Sequence, residues 1–271
     1  MTYQAVRRFP LNREGRDFVI GDIHGSFDQV LDALRRVRFD RGRDRLFSLG
    51  DTVDRGPGSH RALKFLEQTW VHAIRGNHED MFLEAYQDGE PHPGVLEFIT
   101  CRNGMAWWND YPTDQRDLMI AAFRRLPLAI EIETARGTVG LVHAQVPKGM
   151  AWGDFTAALE RGDKDVTHEA LWGEDRLYRK DASGVAGIGR VFTGHRVVES
   201  TTRLGNVYYI DTGAVFGVLN NDPTMGRLTL ANIAEATRTF ERDPETGELF
   251  EVRAEAEVVD APFGDYAAPT P

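Results

Sequence analysis

The chain carries one cysteine in 271 residues, Cys101, which excludes an internal disulfide and any metal knuckle built from cysteine pairs. A lone thiol of this kind is expected to sit as a small buried hydrophobe. Long apolar runs are missing too. Nothing approaches the roughly 20 residues of a spanning helix, and residues 1–8 lack the apolar stretch of a secretory signal. A cytoplasmic protein with no membrane partner is therefore expected. Basic residues are the minority, 32 Lys and Arg against 42 Asp and Glu, for a net charge of −10. Nucleic-acid binding is not expected, because displacing counterions needs clustered positive charge. Anionic substrates stay within reach, since a few arginines and bound ions set the field locally. No internal repeat is visible.

What the chain has in quantity is apolar residues, 41 % of the total, enough for one larger domain with an insertion. The first half alternates strand and helix patterns. Asp17 to Ile20, Arg45 to Leu49 and Trp70 to Ile74 read as strands. Val30, Leu31, Leu34 and Val37, and then Ala62, Leu63, Phe65 and Leu66, recur at helical spacing between them. A β-α-β-α-β order predicts parallel neighbours with right-handed crossovers. Residues 1–16 read as a polar lead-in.

From about 81 to 126 the period is helical, with an aromatic middle including Trp107, Trp108 and Tyr111. This reads as a helical insertion whose aromatic residues are expected to pack, with a groove-lining role as the lesser reading. Leu128 to Glu133 and Thr138 to Val142 predict a hairpin. Arg190 to Thr193, Val207 to Ile210 and Arg227 to Ile233 predict further strands, so that residues 128–233 are expected to form a mostly antiparallel half. Gly184 to Gly189 resembles a dinucleotide loop but precedes a strand, and is expected to be a flexible connection. The segment 234–271 holds ten acidic and three basic side chains, a net of −7. It is expected to be an acidic hairpin and tail, loose from Ala261 to Pro271. The fold class expected is α/β, a mixed β-sandwich flanked by helices, with a main domain over 1–233.

Three stretches concentrate the chemistry. They are Gly21-Asp22-Ile23-His24-Gly25, Gly50-Asp51-Thr52-Val53-Asp54-Arg55-Gly56 and Arg75-Gly76-Asn77-His78-Glu79. Each follows an apolar strand pattern, and open α/β sheets bind ligands at such carboxyl ends. Carboxylates, imidazoles and an amide suit divalent cations, and guanidinium forks suit phosphate. Asp22 and His24, two apart on what reads as extended backbone, should point the same way and reach one metal. Asp51, with two oxygens, can bridge to a second.

At these residues the sequence closely resembles the PPP-type serine/threonine phosphatases of the calcineurin-like metallophosphoesterases, in their small phage and bacterial form, with diadenosine tetraphosphate hydrolases as relatives. The resemblance implies two divalent ions, manganese first, with iron or zinc as alternatives. Asp22, His24 and Asp51 would hold one; Asp51, Asn77, His143 and His195 would hold the other. A hydroxide bridging the ions would attack phosphorus directly, without a phosphoenzyme. Arg55 and Arg75 would clamp the phosphate, with Arg176 as a third arginine, His78 would be the general acid, and Asp54 would orient it. A histidine after a strand is ordinarily a satisfied core residue. His143 and His195 read as ligands because they complete a set that the three stretches leave short. One departure is His143-Ala144-Gln145, where the eukaryotic phosphatases have His-Gly-Gly. His60, His72, His92 and His168 have no supporting partners and are assigned no role. Glu79 is expected to accept hydrogen bonds behind the ligands.

The function implied is a metal-dependent serine/threonine protein phosphatase acting on phosphoproteins or phosphorylated small molecules. The alternatives are a hydrolase of diadenosine tetraphosphate or another nucleoside polyphosphate, and a non-catalytic phosphate-binding protein. The oligomeric state stays open.

Overall fold

The structure is a computed structural model that describes residues 3–220, 226–234, 237–242 and 249–253. Its strands are β1 (Val6–Phe9), β2 (Asp17–Ile20), β3 (Arg45–Ser48), β4 (Val71–Ala73), β5 (Ala129–Thr134), β6 (Gly137–Val142), β7 (Arg190–Thr193), β8 (Thr202–Leu204), β9 (Val207–Tyr209), β10 (Leu228–Asn232), β11 (Thr237–Arg242) and β12 (Leu249–Arg253). Its α-helices are α1 (Phe27–Arg36), α2 (Ala62–Leu66), α3 (Asn77–Ala85), α4 (Pro93–Thr100), α5 (Thr113–Arg124), α6 (Trp152–Glu160), α7 (Lys164–Trp172), α8 (Asp175–Tyr178) and α9 (Phe216–Leu219). The strands form two six-stranded sheets, ordered β12-β11-β10-β2-β3-β4 and β1-β5-β6-β7-β9-β8.

The period-2 alternation of strand side chains explains why the sheets stack with helices outside. Val19, Phe47, Ile130, Ile132, Val139, Leu141, Phe192, Tyr208 and Ala231 point between the sheets and form one apolar layer. Their neighbours Phe18, Ile20, Leu46, Leu228 and Leu230 point the other way, onto α1, α2 and α5. Ala129, Val142, Val191, Val207 and Tyr209 likewise face α6 and α7. The result is a mixed α/β sandwich of two mixed sheets flanked by helices. No helix among the described residues is long and apolar enough to cross a membrane.

Several expectations change. The lead-in contains β1, which pairs in parallel with β5. Its Val-Arg-Arg-Phe pattern is too short to read alone, and Arg8 is committed to Glu131 and Glu160. The second sheet is not mostly antiparallel: β1-β5, β6-β7 and β7-β9 pair in parallel, against antiparallel β5-β6 and β8-β9. The strand near Arg227 to Ile233 belongs to the first sheet, where β10 runs antiparallel to β2. Cys101 is exposed, because it caps the C-terminus of α4 and begins the exposed stretch 101–104. The Gly184 to Gly189 segment is pinned by Asn206, whose side-chain amide donates to the carbonyls of Val185 and Ile188 and accepts from the Val185 amide. Strands β11 and β12 pair antiparallel and extend the first sheet. The stretch Ala261 to Pro271, expected to be loose, lies outside the described residues.

Candidate active site

Parallel strands β2, β3 and β4 deliver the Asp22/His24 loop, the Asp51 to Arg55 loop and Asn77 to Glu79, the first turn of α3, to one edge of the first sheet. Parallel strands β6, β7 and β9 deliver His143, His195 and Asp211 to one edge of the second. The sandwich brings these edges together. Among the described residues eight non-glycine residues have a positive φ, and five of them, His24, Asp51, Asp54, Arg55 and His195, are in this cluster. Left-handed backbone at such residues costs on the order of 1–3 kcal/mol each and persists only where surrounding contacts over-determine it. With φ at 44°, His24 is not on extended backbone. It meets Asp22 through a turn in which the Ile23 and His24 amides both donate to the Asp51 carbonyl.

Glu79 is the main brace. Fully buried, it accepts from the backbone amides of Asp51, Thr52 and Gly76 and from the Thr52 hydroxyl, at 2.7–2.9 Å. Between the sheets, the His195 amide donates to the Asp22 carboxylate at 3.0 Å. Gly194 allows that approach: a Cβ there would lie 2.0 Å from Asp22 Oδ1.

Two groups of donor atoms share Asp51: Asp22, Asp51 and His143, and His24, Asp51 and His78, each within 4.8 Å of one another. Asp51 Oδ2 lies 3.5 Å from His24 Nε2, and Oδ1 lies 3.6 Å from His143 Nε2. Asn77 Oδ1 lies 2.8 Å from His143 Nε2 and 3.0 Å from His195 Nδ1. His143 Nδ1 faces the Leu49 carbonyl and His24 Nδ1 the Val53 carbonyl. A carbonyl only accepts, so those nitrogens carry the protons and each Nε2 keeps its lone pair. Lone pairs of His143, Asn77 and Asp51 therefore converge, as a cation requires, and the donor set without thiolate suits manganese, iron or zinc.

Electrostatics agree. Burial, reinforced by Asp211 and Asp51, holds the Asp22 carboxyl well above its usual range, and burial raises Asp51 and Glu79. Burial also pushes Asp211 up to about 6. It pushes His143 down to about 4 and His195 down to about 3, and lowers His24 well below the ordinary imidazole value. Crowded carboxylates that resist ionisation beside imidazoles that resist protonation are what a positive ion would relieve.

Arg55 donates through Nη1 to His24 Nε2 at 2.6 Å and through Nη2 to His78 Nε2 at 3.0 Å. The other His78 nitrogen, Nδ1, therefore carries the proton and donates to Asp54 Oδ2 at 2.6 Å. Asp54 has no exposed surface, and its second oxygen accepts from the Trp107 indole N–H at 2.7 Å. Burial pushes Asp54 up to about 7 against the opposing pull of Trp107 and Arg55, and burial lowers His78.

Two further arginines stand apart from this network. Arg75 reaches Asp80 at 3.1 Å and the Tyr3 hydroxyl at 3.4 Å. Arg176 is buried beside a 260 Å³ cavity lined by Gln145, Lys148, Arg179 and Asp181, and lies 3.7 Å from the Asp181 carboxylate. Sequence reading gave Asp211 no role and gave Trp107 only packing or, as the lesser reading, groove lining. Asp211 closes a strand just as Asp22 and Asp51 do, which was the available signal. Trp107 offered none, since it reads as one aromatic among several.

The calcineurin-like phosphoesterase profile matches residues 18–208. The chain belongs to that family. Serine/threonine-protein phosphatase 1 of Salmonella typhimurium is 34% identical over 220 residues, covering 80% of this chain and 91% of that protein. A symmetrical bis(5'-nucleosyl)-tetraphosphatase of Methylococcus capsulatus is 32% identical over 173 residues, covering 59% of this chain and 60% of that protein. A solved structure described as a candidate diadenosine tetraphosphatase shares the fold at TM-score 0.57 and 22% identity, covering 93% of this chain and 98% of that one. As a calcineurin-like phosphoesterase the chain is a hydrolase of phosphoric esters, in a family that uses divalent metals.

Proposed function

We propose that this calcineurin-like phosphoesterase is a cytoplasmic serine/threonine protein phosphatase with a binuclear centre, manganese being the first candidate and iron or zinc the alternatives. The observation that carries the reading is the buried His78–Asp54 pair beside the buried Asp51 carboxylate. Asp51 turns Oδ2 to His24 and Oδ1 to His143, the division expected of a residue shared by two ions. Asp22 and His24 would complete one ligand set; Asn77, His143 and His195 would complete the other. Divalent ions held there would supply Lewis acidity, making water acidic near neutral pH and setting positive charge against the phosphate.

The protein's own groups do the rest. The His24 lone pair, which accepts from Arg55, is the one His24 would offer to an ion, and the Arg55 guanidinium would then be available to phosphate oxygens, to which it brings a permanent charge and a planar fork. Arg75 and Arg176 are candidates to extend the clamp. His78, when protonated at Nε2, keeps Nδ1–H on Asp54 and delivers the Nε2 proton to the leaving oxygen. A serine alkoxide is strongly basic and needs that proton; a polyphosphate leaving group needs it less. An oriented, buried acid therefore favours phosphoserine and phosphothreonine. Sequence likeness along most of the Salmonella phosphatase points the same way.

A second reading, hydrolysis of diadenosine tetraphosphate or a related nucleotide, is supported by the Methylococcus relative. Rates on a phosphoserine peptide, an aryl phosphate and diadenosine tetraphosphate, with manganese restored to chelator-treated protein, separate the two. Higher kcat/KM on the peptide than on the nucleotide is expected; the reverse order would transfer the conclusion to the second reading. Full activity after metal removal would overturn both.

A further inference from the structure

Asp54 and Arg55 are consecutive residues with φ of 70° and 64°, and they face a second consecutive left-handed pair, Asn103 and Gly104, with φ of 55° and 76°. That second pair lies in the helical region, far away along the chain. The two turns are joined by the Arg55 amide, which donates to the Gly104 carbonyl at 3.0 Å. Their contact admits no side chain at Gly104, where a Cβ would lie 2.5 Å from the Arg55 backbone. The 3₁₀ turn that follows, Met105–Asp110, then aims the Trp107 indole at Asp54. Its ring is steadied by Phe82, Trp108 and Tyr111, with centroids 5.3–6.0 Å away.

Each oxygen of the buried Asp54 carboxylate has one side-chain partner: Oδ2 has His78 Nδ1 and Oδ1 has Trp107 Nε1. Without the indole N–H, Oδ1 would be buried and unpaired, and among the described residues His78 and Trp107 are the two hydrogen-bond partners that fix the plane of the carboxylate. Building on the general-acid reading above, we propose that Trp107 is a positioning residue: its N–H sets the Asp54 rotamer that orients His78. The helical region thereby becomes part of the acid's support, although it carries no ligand.

The test replaces the donor without replacing the ring. Benzothienylalanine at position 107 keeps the bicyclic shape and lacks the N–H; Trp107→Phe is the simpler companion. His78→Asn is measured beside them. A charge-assisted hydrogen bond predicts a fall of roughly 10-fold or more in kcat/KM for a phosphoserine peptide. For nitrophenyl phosphate, whose leaving group needs little protonation, the fall should stay within about 2-fold. KM and metal content should hold. In metal-free protein the Trp107 indole N–H resonance should move on Asp54→Asn. Equal losses on both substrates, or full activity of the benzothienyl variant, would overturn the positioning role. If His78→Asn also slows both substrates equally, it is the general-acid reading that has failed, and the role of Trp107 falls with it.

Discussion

The two sheets contribute to the site in different ways. In the first, Asp22, His24 and Asp51 stand on the loops after β2 and β3 and Asn77 and His78 on the first turn of α3 after β4, and Glu79 ties the β3 and β4 ends together through their own backbone amides. This half is built locally and held from within. In the second, His143 and His195 are 52 positions apart and are held by the other sheet: His143 by the Leu49 carbonyl, His195 by the Asp22 carboxylate. Self-bracing loops tolerate strained backbone at several residues. The docked histidines depend instead on the sandwich layer of Val19, Phe47, Leu141 and Phe192 staying closed.

Asp51 belongs to both halves, so Asp51→Asn should have the largest effect. Activity should fall to the level of metal-stripped protein, and metal analysis should find both ions depleted; retention of a full complement would show that the halves do not share this residue. Gly194→Ala attacks the contact between the halves, by forcing a methyl group against Asp22 Oδ1. It should displace His195 and cost about 10- to 100-fold in activity or metal affinity, the range for disturbing the support of a ligand. Titration with manganese should show weakened binding, and unchanged affinity together with unchanged activity would show that the His195–Asp22 contact does not hold the two sheets' contributions in place.

Thr52→Val probes the self-bracing half. It removes one of the hydrogen bonds to Glu79 and leaves the amides, so a loss of about 1–2 kcal/mol in unfolding free energy is expected, with metal stoichiometry unchanged. A shift in the urea midpoint measures it. His72 lies outside both halves, among Phe9 and Phe47, and burial, with Arg45 and Arg7, lowers it to about 4. In the unfolded chain it titrates near 6.5. Above that pH both states are neutral; as pH falls from 6.5 toward about 4, the unfolded state gains a proton first, and stability is lost. His72→Phe should flatten part of that slope without changing activity at pH 7. An identical pH slope in the two proteins would show that burial does not depress His72.

The strands carrying the first half were legible because each is an apolar run ended by glycine and charged residues. The strand β1 and the pairing of β10 were not. A four-residue strand with two arginines gains its stability from β5, and either sheet satisfies the apolar alternation of β10. Glu79 could be read as an acceptor from its place behind Asn77 and His78. Trp107 could not, since nothing in an aromatic-rich stretch separates the ring that packs from the ring that donates.

The residue types alone determined the chemistry: carboxylates, imidazoles and guanidinium groups at strand ends, with glycines where backbones touch. Tertiary structure decided which of them meet. Arg55 joins His24 and His78, whereas Arg75 turns to Asp80 and Arg176 to Asp181. Side-chain chemistry is carried by each residue separately. Orientation instead depends on turns, register and the packing of two sheets, to which residues distant in the chain contribute jointly.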